Sequence, residues 1–295
     1  MSSKILLIGG SGLVGTFLAK RFKSNGDYIG IIARRINNRD FDEHIEADTT
    51  RKGRWLKRIG NYEIIINLAG ATIGKRWSKR YKREIYDSRI LTTRNIVETL
   101  SKGQILFSTS ATGYYGDCKD KILTEKDTSQ SDFLSMVCKD WEGEAIKATD
   151  RGTKVYIMRF GVVAAKDGGA FIRLIKNHRL LLGSVINGGD QYFSSIHIED
   201  IYRAITYLID KRPDEIIYNF TMPDPVTNRE LTYTIAKLIN RPIIIPFIPA
   251  FFLRIILGEF ANTLLFSQRV IPHNLSKIGF EFKYKTIEDT IKNIV

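Results

Sequence analysis

The residues most able to do chemistry begin at Gly9-Gly10-Ser11-Gly12-Leu13-Val14-Gly15, where Gly9, Gly12 and Gly15 recur every third position directly after an apolar run at 5–8. A turn there needs permissive backbone angles, a pyrophosphate needs close approach to backbone amides, and the positive end of a following helix favours its charge. A dinucleotide held by Gly9, Ser11, Gly12, Leu13, Val14 and Gly15 is expected. NAD-selective sites commonly end the second strand with an acidic residue that bonds the ribose hydroxyls. This chain has Ala33-Arg34-Arg35 there, and two guanidinium groups suit a 2′-phosphate. NADP(H) is therefore expected over NAD(H). Asp48, within Glu46-Ala47-Asp48-Thr49, either reaches the adenine from a third-strand loop or caps its own turn. Asn67-Leu68-Ala69-Gly70 follows the next strand; small residues there let backbone pass close to the nicotinamide ribose, so Leu68, Ala69 and Gly70 are expected at the cofactor.

These turns need a scaffold. Apolar runs at 4–8, 28–33, 63–67, 104–108 and 154–159 alternate with amphipathic stretches at 13–24, 79–101 and 133–150. Strands separated by helical crossovers specify an α/β fold of the Rossmann type, a doubly wound parallel sheet. Such sheets bind ligands at the carboxyl ends of their strands. Past Phe160, turn signals at Asp167-Gly168-Gly169 and Asn187-Gly188-Gly189-Asp190 lead to a helix at 198–210 and a strand at 216–220. This is an excursion, at about 161–195, that returns to the sheet. Beyond Pro223, helix signals at 228–238 and 250–257 are punctuated by Pro242, Pro246 and Pro249. The expected organisation is a nucleotide-binding domain over 1–222 and a small, mostly helical C-terminal cap over 223–295, with the ligand cleft between them.

Bulk composition narrows the class. A chain of 295 residues can bury a substantial core. The net charge of +13 is spread along the whole sequence. Its densest cluster, Lys75, Arg76, Lys79, Arg80, Lys82 and Arg83, is circumferential at helical spacing, so no nucleic-acid partner is expected. Cys118 and Cys138 form no CxxC pair, which points to neither a disulfide framework nor a metal site and fits a reducing cytoplasm. The apolar run after Lys4 is too short for a signal peptide. Residues 247–266 are strongly apolar, but Pro249, Arg254, Glu259 and Asn262 interrupt them. An amphipathic helix packed on the domain is expected there, and no membrane partner.

Motifs along nearly the whole chain resemble one family. They include Asn67-Leu68-Ala69-Gly70, Arg76-Trp77, Asp87-Ser88-Arg89, the run from Ser108 to Gly116, Trp141-Glu142, Arg159-Phe160-Gly161 and Ser195-Ile196-His197-Ile198-Glu199-Asp200. Pro223-Asp224-Pro225-Val226-Thr227-Asn228 continues the match, and Ser267-Gln268-Arg269-Val270-Ile271-Pro272 is similar to a characteristic C-terminal domain. The chain resembles the atypical extended short-chain dehydrogenases/reductases known as epimerase family proteins, or nucleoside-diphosphate-sugar epimerases.

That resemblance implies a Ser, a Tyr-x-x-x-Lys pair and an Asn on the preceding long helix, with Tyr moving the proton and Lys lowering its pKa. Ser110 matches the serine. With Trp141-Glu142 as anchor, Leu134 and Cys138 stand at the Tyr and Lys positions; a shift of one residue puts Ser135 and Lys139 there. Neither register restores the pair, and Arg89 stands at the Asn position, at the cofactor. Tyr114 or Tyr115 either supplies the acid/base or packs the cleft wall. Arg159 holds a phosphate or substrate carboxylate, or makes a structural ion pair. His197 reads as a helix cap and Cys138 as a buried helix cysteine. The implied function is an NADP(H)-dependent oxidoreductase or epimerase acting on a small polar substrate, such as a nucleotide-linked sugar, without a metal. The rival is a non-catalytic NADP(H)-binding protein that controls a partner.

Overall fold

The structure is a computed structural model that describes residues 2–35 and 40–295. Strands β1 (Lys4–Ile8), β2 (Tyr28–Ala33), β3 (Glu43–Glu46), β4 (Ile64–Asn67), β5 (Ile105–Ala111), β6 (Lys154–Phe160) and β7 (Ile217–Phe220) form one sheet. Their order is β7-β6-β5-β4-β1-β2-β3, and every neighbouring pair is parallel. The Rossmann expectation is met. Because crossovers cover both faces of a parallel sheet, the inner strands are apolar on both sides. Ile5 and Leu7 of β1 enter one core with Phe107, Met158 and Tyr218, while Leu6 and Ile8 enter the other with Leu106 and Ile157.

The alternating apolar pattern does not mark β3, whose sequence is Glu-His-Ile-Glu with only part of each side chain buried. It is the sheet edge, and a short charged strand there discourages pairing with other chains.

Helices α1 (Leu13–Ser24), α2 (Lys79–Val97) and α3 (Phe133–Ile146) carry the crossovers of the first half. Asp132 caps α3 by accepting from Leu134 N and Ser135 N. The excursion carries α4 (Gly169–Arg179), and α5 (Ile198–Lys211) returns the chain to β7. Beyond β7 lie α6 (Asn228–Leu238) and α7 (Ala250–Leu257). Leu275, Phe280 and Phe282 of the tail join the same core as β1 and β6, so the tail is packed against the sheet layer. Of four further two-stranded pairs among the described residues, two tie excursion and tail together: Tyr192–Phe193 with Val226–Thr227 and Phe247–Ile248 with Val185–Ile186.

One expectation about the tail is corrected. The region 247–266 does place Ala261 in the interior, but α7 has no buried residue. Phe251, Phe252, Ile255 and Ile256 are exposed, and Leu253 and Leu257 on the other side are only half-buried. No helix among the described residues is long and apolar enough to cross a membrane.

Candidate nucleotide cleft and its polar floor

The chain leaves β1 toward β2 and β3 on one side and resumes with β4 on the other, so the direction of winding reverses at the carboxyl ends of β1 and β4. A crevice opens at such a switch point. Ile8 lies opposite Asn67, and the loops that follow these two residues touch. A Cβ on Gly9 would stand 2.8 Å from Ala69 N, and Gly9 adopts φ +80°. A Cβ on Gly15 would stand 2.5 Å from Gly10 Cα. Both positions require glycine, one for its backbone angle and close approach, the other for approach alone.

Gly12 begins α1 with no side-chain cap, and no acidic residue lies in the first turn. The positive end of a twelve-residue helix is thus open to an anion. Ser11 is exposed beside it. Leu13 is fixed by the excursion, since a Cβ on Gly168 or Gly169 would meet its side chain at 3.3 or 3.1 Å, and Val14 packs against the core. The second loop is held from beneath. Asn67 Nδ2 donates to Thr93 Oγ1, Trp141 Nε1 donates to the same oxygen, and Ala69 N donates to Asn67 Oδ1. Arg89 lies against this loop, its Cζ 3.1 Å from where a Gly70 Cβ would be. Its Nη1 donates to Ile85 O, and the guanidinium sits 5.2 Å from the Trp141 ring centroid. Burial depresses its pKa, opposed by the neighbouring Cys138.

At the far end of the crevice Arg34 and Arg35 are exposed immediately after β2. Asp48 caps its own turn: its Oδ1 accepts from Thr50 N and Oγ1, and Arg51 lies 3.7 Å from its Oδ2. Turn capping was one of its two expected roles.

The other site residues meet in the interior beneath the strand ends, where Ser110 is 1 % exposed. Ser110 on β5 and Arg159 on β6 are direct register partners, so both side chains leave the same face of the sheet. Glu142 on α3 descends onto both. Its Oε1 accepts from Ser110 Oγ at 2.6 Å and from Arg159 Nε at 2.8 Å, while its Oε2 accepts from Arg159 Nη2 at 2.8 Å. Arg159 is 1 % exposed. Its remaining Nη1 donates to Tyr115 Oη, which donates onward to Asn219 Oδ1. Asn219 N then donates to Glu125 Oε1, which also accepts from Asn274 N.

For two residues this network takes the structural one of the two expected roles. Arg159 does not line an open cofactor edge, because its donors are consumed by Glu142 and Tyr115 inside the protein. Burial opposes its charge, but the Glu142 bonds and charge hold its pKa above the ordinary arginine value. Tyr115 is fully buried, and burial raises its pKa against the lowering effect of Arg159. It is a packing and bonding residue, not an accessible acid/base. Tyr114 is half-buried and stacks its ring 3.5 Å from the Arg159 guanidinium carbon.

The register of α3 is also fixed. Leu134 and Cys138 face the Gly113 loop, whereas Lys139 is exposed and Ser135 Oγ is engaged by Gly113 O and Asp132. Of the two pairs that the resemblance allows, Leu134 and Cys138 are thus the one that faces this loop. Burial, with the Glu142 charge adding, pushes the Cys138 thiol up to about 12, so it is protonated and a poor nucleophile. His197 caps α5 through Nδ1, which accepts from Glu199 N, and stacks on Tyr284 at 3.7 Å. Among the described residues no group of His, Cys, Asp and Glu is arranged to hold a metal ion.

Glu142 is a candidate site residue that the sequence reading used only as a motif anchor. Its signal was a carboxylate four residues after Cys138 on a helix face otherwise formed by Val137, Cys138, Trp141 and Ala145.

An open α1 terminus over a rigid polar floor, at the switch point of a seven-stranded parallel sheet, defines a nucleotide-binding α/β protein built on the dehydrogenase/reductase plan. Comparison with known proteins gives the family. Residues 5–220 match the NAD dependent epimerase/dehydratase family, and the chain belongs to it. Residues 248–294 match a domain of unknown function, DUF1731. An epimerase family protein of Staphylococcus haemolyticus is 33% identical over 297 residues, covering 99% of each chain. The crystal structure of the human epimerase family protein SDR39U1 with NADPH superposes with a TM-score of 0.85 at 24% identity, covering 99% of this chain and 98% of that one. UDP-glucuronic acid 4-epimerase from Bacillus cereus, in complex with UDP-glucuronic acid and NAD, superposes with a TM-score of 0.78 at 16% identity, covering 98% and 96%.

Proposed function

We propose that this chain is a cytoplasmic NADP(H)-dependent oxidoreductase or epimerase acting on a small polar substrate of the nucleotide-sugar class. The observation that carries the reading is the glycine crevice: Gly9 and Gly15 leave no room for a side chain, and the uncapped start of α1 faces the space so formed. These residues fit a dinucleotide. Gly9, Ser11, Gly12, Leu13, Val14 and Gly15 would hold the pyrophosphate, Arg34 and Arg35 the 2′-phosphate, and Asp48 would border the adenine. Leu68, Ala69, Gly70 and Arg89 would frame the nicotinamide ribose. The NADPH of the human structure and the nucleotide sugar of the Bacillus cereus enzyme support this choice of ligands. Residues 1–222 would form the nucleotide domain and 223–295 the cap over the substrate.

When bound, the nicotinamide would exchange a hydride with a substrate carbon. The chain's own part is proton handling. Ser110 is 1 % exposed, so a substrate hydroxyl must displace the side chains over it; the Ser110 Oγ would then accept that proton as its own passes to Glu142 Oε1, to which it is hydrogen-bonded at 2.6 Å. Tyr114 would wall the substrate side, braced on Arg159. The test is a panel of nucleotide sugars incubated with enzyme and NADPH, following cofactor oxidation and hydrogen-isotope exchange at each sugar carbon. Turnover or exchange supports the assignment.

A second reading, a non-catalytic NADP(H)-binding protein, is favoured by one observation: Leu134 and Cys138 leave the site without the usual phenol–ammonium pair. Tight NADPH binding with complete inertness across the panel would decide for it.

A further inference from the structure

Helix α7 is built inside out. Phe251, Phe252, Ile255 and Ile256 fall at the i, i+1, i+4, i+5 spacing of a single helical stripe, and this apolar stripe faces away from the protein. With Phe247 just ahead of the helix, these side chains are between 51% and 65% exposed. The inner face, Ala250, Leu253 and Leu257, is half-buried. Pairing of Phe247–Ile248 with Val185–Ile186 fastens the segment to the excursion, which exposes Leu180 at 59% and Leu182 at 55%. Apolar side chains grouped in this way mark a surface that some other phase or molecule covers.

The surrounding charge is of one sign. Between residues 242 and 258 the sole charged side chain is Arg254, which is exposed. Arg76 reaches the helix from the basic cluster, its Nη1 donating to Ile255 O at 3.3 Å. Lys75, Lys79 and Arg80 beside it are exposed. The acid at the helix end, Glu259, is neutralised by Lys82 at 2.8 Å.

We propose that this face docks on the surface of an anionic lipid bilayer. Phenylalanine and isoleucine on one stripe with arginine and lysine at its border is the arrangement of a helix lying in the headgroup layer. An eight-residue helix is about 12 Å long and enters without spanning. The interruptions that exclude a membrane span do not oppose this shallower mode, which departs from the expectation of no membrane partner because the stripe faces outward. A second copy of the chain is a poorer occupant. Two such faces brought together would oppose basic borders on a molecule already carrying +13.

The test uses the full chain in sedimentation with vesicles of phosphatidylcholine containing phosphatidylglycerol, and with vesicles of phosphatidylcholine alone. The protein should sediment with the anionic vesicles, and added salt should weaken the association. Phe251→Ser with Phe252→Ser and Ile255→Ser should weaken it by roughly tenfold or more, and Lys79→Glu with Arg80→Glu likewise. All five positions are exposed, and NADPH affinity and circular dichroism of each variant serve as fold controls. Failure of the unmodified protein to sediment with anionic vesicles overturns the proposal. So does self-association in ultracentrifugation that the triple apolar variant abolishes while vesicle binding stays unchanged.

Discussion

Ser110 Oγ lies 2.6 Å from Glu142 Oε1, and the same oxygen accepts from Arg159 Nε. The buried serine thus donates its hydrogen bond to a carboxylate that is itself held by a buried cation. Cys138 lies one turn and Leu134 two turns before Glu142 on the same helix, the positions at which the family resemblance leads one to expect Lys and Tyr.

Removing one partner of the Glu142–Arg159 pair strands a charge in the interior. Glu142→Ala should cost about 3–5 kcal/mol of unfolding free energy. The double variant Glu142→Met with Arg159→Met should recover most of that loss, because neither charge remains. Urea denaturation of the four species in a double-mutant cycle checks the coupling; additive losses would contradict it.

Ser110→Ala should lower turnover of any active substrate by roughly 10²- to 10⁴-fold while changing stability by no more than about 1.5 kcal/mol. Unimpaired turnover in that variant would remove Ser110 from the proton path.

Arg34→Ala combined with Arg35→Ala should raise the Kd for NADPH by at least roughly tenfold and leave NADH nearly unchanged. Calorimetric titration with both cofactors separates the two cases. Equal weakening of both would sink the 2′-phosphate assignment.

Burial, with the charges of Lys283 and Lys166 adding to it, lowers the His197 pKa from 6.5 to about 4. The fold therefore favours the neutral ring. Above about pH 6.5 neither state binds the proton and the whole contribution is present. As pH falls from about 6.5 to about 4 the unfolded chain takes up a proton that the folded one does not, so stability declines, by up to about 3 kcal/mol. His197→Gln should flatten that slope in urea midpoints measured across the interval.

Cys138, protonated up to about 12 and buried, should resist maleimide in the native protein and react only after denaturation. Mass spectrometry of the labelled peptides reports this. Rapid native labelling of Cys138 would reinstate it as a nucleophile.

The sheet was legible because its strands are continuous apolar runs closed by glycine turns, and the turn at 9–15 announces its own geometry. β3 was not, since its two glutamates carry the signature of solvent and only the edge position explains them. Ser110, Arg159 and Tyr115 were found by their places at strand ends. The partner that Ser110 and Arg159 share, Glu142, was hidden because pairing across 17 or 32 residues depends on how α3 lies over the sheet. The direction of α7 was misjudged for a related reason: a helical stripe of Phe and Ile shows that something covers it, not whether that cover belongs to the same chain.

The polar line through Ser110, Glu142, Arg159, Tyr115 and Asn219 ends on Glu125, whose carboxylate also takes a bond from Asn274 N. Polypeptides emerge from the ribosome amino end first. The glycine crevice itself draws on Leu13 held by Gly168 and Gly169 and on a loop held through Thr93 and Trp141, and the floor beneath it stays incomplete until Asn274 has been made. A nascent chain would therefore complete this site only once its tail has been synthesised. Cofactor that binds the finished fold and not the unfolded chain then favours the folded form by mass action.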